Sequence, residues 1–285
     1  AYWGSDARCV FLTYDRSGVH CNGDKLSLML FGYKQLLLSD VDGIAGVPHA
    51  FSSRIQQELN RGGLSQNTVM IDGRDQRPIA RLLRLLEFHD LPDEKRVAAA
   101  DEEGLLYEGV RQMRTVAMTS DYVLDVFQVD GGQTEHQIDW IMHVMDKTAK
   151  APDELAPALR DRCRPSQFPQ DGAWRWLRNP REFMPDDVIM LDWQNDRVAV
   201  RLIMLAQGIE RMILCDYPVS DKSDSGRIPM IIARTHARKA RFAALWLAGP
   251  APLDAELKPL PESEGKTCYQ VTVGEKIRKH DIISW

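Results

Sequence analysis

The chain of 285 residues has 44% hydrophobic and 27% charged side chains, the balance of an ordinary globular protein and enough length for one large β domain or two smaller ones. A formal net charge of -5 argues against a broad nucleic-acid-binding surface, yet leaves an acidic substrate open, since charges beyond about 8–10 Å are screened at physiological salt. No apolar run reaches membrane-spanning length, the start at Ala1 lacks a secretory signal and suggests a processed chain or an excised domain, and the five cysteines form no CxxC pair.

Strand signals dominate in chain order. Runs at 9–13, 25–31, 35–39, 67–72, 115–119 and 122–129 are rich in Val, Leu, Ile, Met and aromatics and end on Gly, Asp or Ser. Later runs lie at 188–193, 198–205, 211–216, 229–233, 241–247, 268–273 and 276–283. Gly32-Tyr33 between LSLML and KQLLL predicts a two-residue hairpin turn with Gly in its first position, and Asp72-Gly73 a second reversal. Helical patterns are few: 52–60, ending before Gly62-Gly63, 78–86, and 152–162, which starts on Pro and acidic residues. Pro and charged residues thicken over 147–187, predicting an excursion from the sheets that carries Trp174 and Trp176. A second excursion starts at Ala248, and two terminal strands close the stretch 249–285. Many short strands without long helices between them predict an all-β, layered antiparallel β-sandwich with a few short helices, spanning 1–285 as one domain.

Three segments carry a resemblance. VHCNGDKLSLMLFGYKQLLLSD, SQNTVMIDGRDQ and SDYVLDVFQVDGGQTEHQIDWIMHV stand in that order between Thr13 and Val144. They are similar to the H-x-H-x-D-K-L, A-H-N-T-V-x-V-D-G and D-Y-V-x-D-x-F-x-V-x-G-G segments of the heparinase II/III-like polysaccharide lyases. The resemblance implies a super-sandwich β domain that follows an α/α toroid, with this chain starting where the toroid has ended. It implies cleavage of uronic-acid polysaccharides, of heparin type or alginate, by β-elimination, in a bacterial periplasmic or secreted enzyme.

That chemistry removes the proton at C5 of a uronate, so it needs the neighbouring carboxylate neutralised and a base in hydrogen-bond reach. A histidine suits either task because its charge changes near neutral pH. His20 occupies the position of the histidine that the family's β domain gives to the cleft, so the resemblance makes it the catalytic candidate. Arg16 and Tyr14, in the loop before it, are candidates for substrate binding, Arg16 through its planar fork and Tyr14 by stacking or a hydrogen bond.

Some members of the family bind zinc at three positions that here hold Asn22, Asp40 and Gln66. Two amides and one carboxylate make a poor zinc set, so no cofactor is expected, and the trio is expected to converge through hydrogen bonds instead. His136 and His143, an odd number of residues apart on an extended strand, point to opposite faces and cannot form a metal pair. The partners implied are an acidic polysaccharide and the upstream toroid, with no nucleic acid and no membrane span. The competing reading is a non-catalytic carbohydrate-binding or interaction sandwich using Trp174, Trp176 or Trp193, for which core or loop packing is the simpler role.

Overall fold

The strand Tyr122–Asp130, YVLDVFQVD, is buried along its whole length, which requires cover on both faces of its sheet. The computed structural model describes residues 2–3, 8–15, 22–41, 54–145, 161–195, 198–218, 226–251 and 253–285. Numbered in chain order, its strands form four antiparallel sheets. A 7-stranded sheet runs β13 (Val188–Asn195), β14 (Val198–Leu205), β17 (Lys239–Gly249), β9 (Tyr122–Asp130), β8 (Arg111–Met118), β7 (Lys95–Asp101), β6 (Arg84–Asp90). A 6-stranded sheet runs β11 (Arg164–Pro165), β12 (Arg178–Phe183), β15 (Arg211–Pro218), β16 (Arg227–Ala237), β10 (His136–His143), β5 (Val69–Ile71). A 4-stranded sheet holds β1 (Tyr2–Trp3), β2 (Arg8–Leu12), β3 (Leu28–Gly32) and β4 (Gln35–Leu38), and a 3-stranded one β18 (Ala255–Ser263), β19 (Lys266–Val273) and β20 (Lys276–Ile283).

Three hydrophobic clusters glue the layers. The largest lies between the 7-stranded sheet and the sheets of β3 and β10, and includes Leu28, Leu30, Phe127, Trp140, Leu202 and Trp246. Trp140 stacks between Phe242 and Trp246, with ring centroids 6.4 and 6.1 Å away, and Trp193 meets Trp246 edge-on. Trp193 is therefore core packing. The second cluster covers the far side of the 6-stranded sheet, where Ile55, Leu59, Leu64, Phe168 and Leu177 lie over Ile213, Tyr217 and Ile232. The third joins the far side of the 7-stranded sheet to the C-terminal strands through Leu124, Leu245, Tyr269 and Val271. Covering both main sheets on both faces explains why their strands read as apolar runs rather than alternations.

Every run read as a strand overlaps one, and 198–205 and 276–283 coincide with β14 and β20. Several expectations need correction. Residues 78–86 form no helix: 84–90 is the edge strand β6, whose register slips between Leu85 and Glu87, so its alternation is broken. The first hairpin turns at Tyr33-Lys34, φ 53° and 62°, and Gly32 ends β3 instead, leaning on Leu37 where a Cβ would sit 3.3 Å from its Cδ1. Asp72-Gly73 is a turn, with φ 53° and 66°. The described part of 147–187 is not wholly an excursion, since β12 pairs with β15 along the 6-stranded sheet. The C-terminal stretch holds a third strand, β18, inside the expected second excursion. Near 52–60 the helical turn is real and π-type over Gln56–Asn60. Most of 152–162 lies outside the described residues.

A clamped loop as the candidate active site

The candidate loop joins β2 to β3. His20, Arg16 and Cys21 lie outside the described residues, whereas both ends of the loop are described. At the near end, the Thr13 amide and hydroxyl donate to the Ser27 carbonyl, each at 3.1 Å, and the Leu26 amide donates to Thr13 at 2.7 Å. Tyr14 is half-buried with its ring against the main core, and its carbonyl accepts from the Leu83 amide.

At the far end the chain is gripped from three sides. Gln76 takes the Lys25 amide on its Oε1 and donates Nε2 to the Lys25 carbonyl, both at 2.9 Å, and the Thr68 hydroxyl donates to the same carbonyl. Asn67 donates to the Leu28 carbonyl and accepts from the His143 amide at 2.6 Å, so one side chain ties β3 to β10. Beneath them, the fully buried Arg114 of β8 pairs bidentately with Asp125 of β9 and donates to the carbonyls of Leu26, at 2.6 Å, and Asn67. A fork with five donors can satisfy a carboxylate and two carbonyls together, which lysine could not match in geometry.

Electrostatics hold the same place. Lys25 is 3% exposed. Burial opposes its charge, but Asp24 and then Asp15 outweigh it and hold the ammonium above its ordinary pKa. Leu26 has φ 59°, a left-handed backbone that a branched side chain rarely adopts. Its side chain is fully buried and its amide and carbonyl are both bonded, so the surroundings hold the strain.

His143 donates Nδ1–H to Asn67 Oδ1 at 3.0 Å, because that amide oxygen can only accept, and its ring meets Tyr217 edge-on. Burial pushes its pKa down to about 3, opposed only by the Leu64 carbonyl, so it is neutral. His136, at the other end of β10, meets Asp72 at 2.7 Å. The two histidines serve separate places.

Gly23 donates its amide to the Arg61 carbonyl, and Val41 donates to Ser65, so the backbones beside Asn22 and Asp40 are both stitched to the stretch 61–66 that ends on Gln66. The approach at Gly23 is close, since a Cβ there would lie 3.3 Å from the Gly63 amide nitrogen and the backbone would have to yield by a few tenths of an ångström. Asp40 accepts the Ser39 hydroxyl at 3.2 Å. Gln66, fully buried, donates to Ser65 Oγ at 2.8 Å, and its Oε1 has no hydrogen-bond partner among the described residues. An amide oxygen is a weak zinc ligand, so this donor set does not fit the metal.

Lys25, Asn67, Gln76 and Arg114 were not singled out from sequence. Asn67 carried a signal, an amide at the entry to an apolar strand where Asn is depleted unless it bonds backbone.

No known sequence family matches the chain, and no curated protein matches it by sequence. Solved structures do match. Heparinase III aligns with 99% of the chain at TM-score 0.66 and 13% identity, and a heparan sulfate lyase HepC mutant from Pedobacter heparinus with 99% at TM-score 0.63 and 12% identity. The chain spans 40% of the length of each. At this identity the likeness is one of fold: these residues build the layered β-sandwich found within polysaccharide lyases.

Proposed function

We propose that this chain is the β-sandwich domain of a polysaccharide lyase that cleaves uronic-acid polysaccharides by β-elimination, with His20 delivered to the active site. The observation that supports it most is the alignment of 99% of the chain with heparinase III, joined to the clamp that fixes the ends of the loop carrying His20. In the reaction, the C5–H bond breaks to a base, C4=C5 forms, and the C4–O bond breaks with its oxygen taking a proton. A neutral imidazole takes the proton, and a charged one neutralises the uronate carboxylate. Arg16 would pair with a carboxylate, and Tyr14, half-buried, would stack on a sugar or donate a hydrogen bond to it. Asn22, Asp40 and Gln66 would steady His20 in place of a metal. An upstream α/α toroid would supply the remaining polar residues, in an enzyme of the bacterial periplasm or exterior.

The test follows unsaturated uronate ends by ultraviolet absorbance, on heparan-type and alginate substrates. Residues 1–285 alone are expected to give no appreciable turnover. In the enzyme carrying the toroid, His20→Ala is expected to cut turnover by about 10²–10⁴-fold, the usual loss for a positioned acid or base. A near-normal rate in that variant removes His20 from the chemistry.

A further inference from the structure

On the far side of the 6-stranded sheet, the helical turn Gln56–Asn60 and the segment 164–180 border an open groove of about 590 Å³. Arg54, Phe168, Trp174, Arg175, Trp176 and Arg178 line it. Its wall is set in advance. The Glu58 carboxylate accepts from Arg54 Nε at 2.9 Å, from Arg175, and from Trp176 Nε1 at 3.0 Å. Arg54 first, and then Arg175 and Trp176, pull that carboxyl down to about 2, so at neutral pH it is a fixed anion that orders two guanidinium groups and an indole. Trp174 leans on Phe168, centroids 5.0 Å apart, with the Arg234 guanidinium 5.6 Å over its ring. Arg178, exposed, spends Nη1 on the carbonyls of Arg175 and Leu177. A guanidinium has five N–H donors, so it keeps others for a ligand.

Three guanidinium groups against one carboxylate make the groove cationic, in a chain of net charge -5. Planar guanidinium forks take carboxylate or sulfate oxygens in pairs. Arg61, directly after the turn that carries Glu58, accepts the Gly23 amide, which ties that turn to the described end of the candidate loop. We propose that this groove is a second binding site, for an anionic saccharide. The choice of a saccharide over another polyanion rests on the lyase reading; the cationic, aromatic lining does not.

Calorimetric titration of residues 1–285 with a heparan-type oligosaccharide, an alginate oligosaccharide and poly-glutamate tests this. Saccharide binding is expected that weakens with salt, and Arg54→Ala with Arg178→Ala, both exposed, is expected to weaken it at least tenfold without a change in thermal midpoint. Trp176→Phe, which keeps a ring but loses the bond to Glu58, is expected to weaken it less. Absence of saccharide binding, an unchanged affinity in the double variant, or poly-glutamate binding as tight as saccharide overturns the proposal. In the toroid-bearing enzyme, His20→Ala is expected to bind as the parent does. Saccharide binding that depends on Arg54 and Arg178, in an enzyme without turnover, upholds the groove and sinks only the lyase reading.

Discussion

Asn67 shows how one buried side chain can hold a loop. It serves the Leu28 carbonyl, the His143 amide and the His143 ring at once. Asn67→Ala orphans these groups, and an unsatisfied buried group costs about 1–3 kcal/mol. Asp125→Ala leaves the Arg114 guanidinium buried without its carboxylate, for which about 3–5 kcal/mol is expected. Urea unfolding should rank Asp125→Ala above Asn67→Ala. His143 adds a pH dependence. Its folded pKa, about 3, lies below the ordinary value of 6.5, so the unfolded chain takes up the proton first. Stability from keeping it neutral is whole above about pH 6.5 and falls as pH drops from there toward 3, by at most about 1.4 kcal/mol per pH unit. His143→Gln should flatten that part of the urea-midpoint profile; a slope equal to the parent's would assign the titration elsewhere. If Asn22, Asp40 and Gln66 converge as expected, Asn22→His with Gln66→His gives a two-imidazole, one-carboxylate set, and stoichiometric zinc by metal analysis is expected on the double variant only. Zinc on the parent would show that the amides do not exclude it. At this scale Asn67 was legible in part, as an amide at the entry to an apolar strand. Arg114 was not, since an arginine within a strand reads as a solvated face until the partner sheet is known.

Among elements, the ones the sequence announced were those whose ends carry turn chemistry or whose runs are apolar throughout. β14 and β20 are of this kind. Those it hid lack such marks. β7 reads KRVAAAD, and alanine is a poor strand former, yet pairing on both sides holds it. β18 carries Pro259 and Pro261, tolerable because it is an edge strand. β12 bulges between Arg178 and Arg181, with Asn179 at φ 51°, which bends a proline-bearing segment onto the sheet. The β3–β4 hairpin offers a direct test. Tyr33 and Lys34 both sit left-handed, the geometry that favours Asn-Gly, and such a backbone costs a non-glycine residue about 1–2 kcal/mol. Tyr33 earns its place, since its hydroxyl accepts from Arg8 Nη2 at 3.0 Å. Lys34 is exposed, so Lys34→Gly should raise stability by up to about 1 kcal/mol, read as a higher thermal midpoint. An unchanged or lower midpoint would mean the turn is not strained there.

For the whole molecule, the sandwich class was legible from strand density, but the order of layers was not, because it depends on which faces meet across hundreds of residues. Trp140 belongs to this scale. Stacked between two rings at the centre of the largest core, it should cost about 3–5 kcal/mol when cut to Ala. The buried guanidinium of Arg114 has a consequence in time as well as in energy. It can release the Leu26 and Asn67 carbonyls only by leaving them dry and unbonded, so the end of the loop near Lys25 has no cheap way to lift by itself. Amide hydrogens of Lys25, Leu26 and Leu28 should therefore exchange with deuterium only when β8 and β9 come apart, at the pace of Phe127 in the central strand. A loop end that breathes no faster than the core stays in one register for as long as the sandwich is folded.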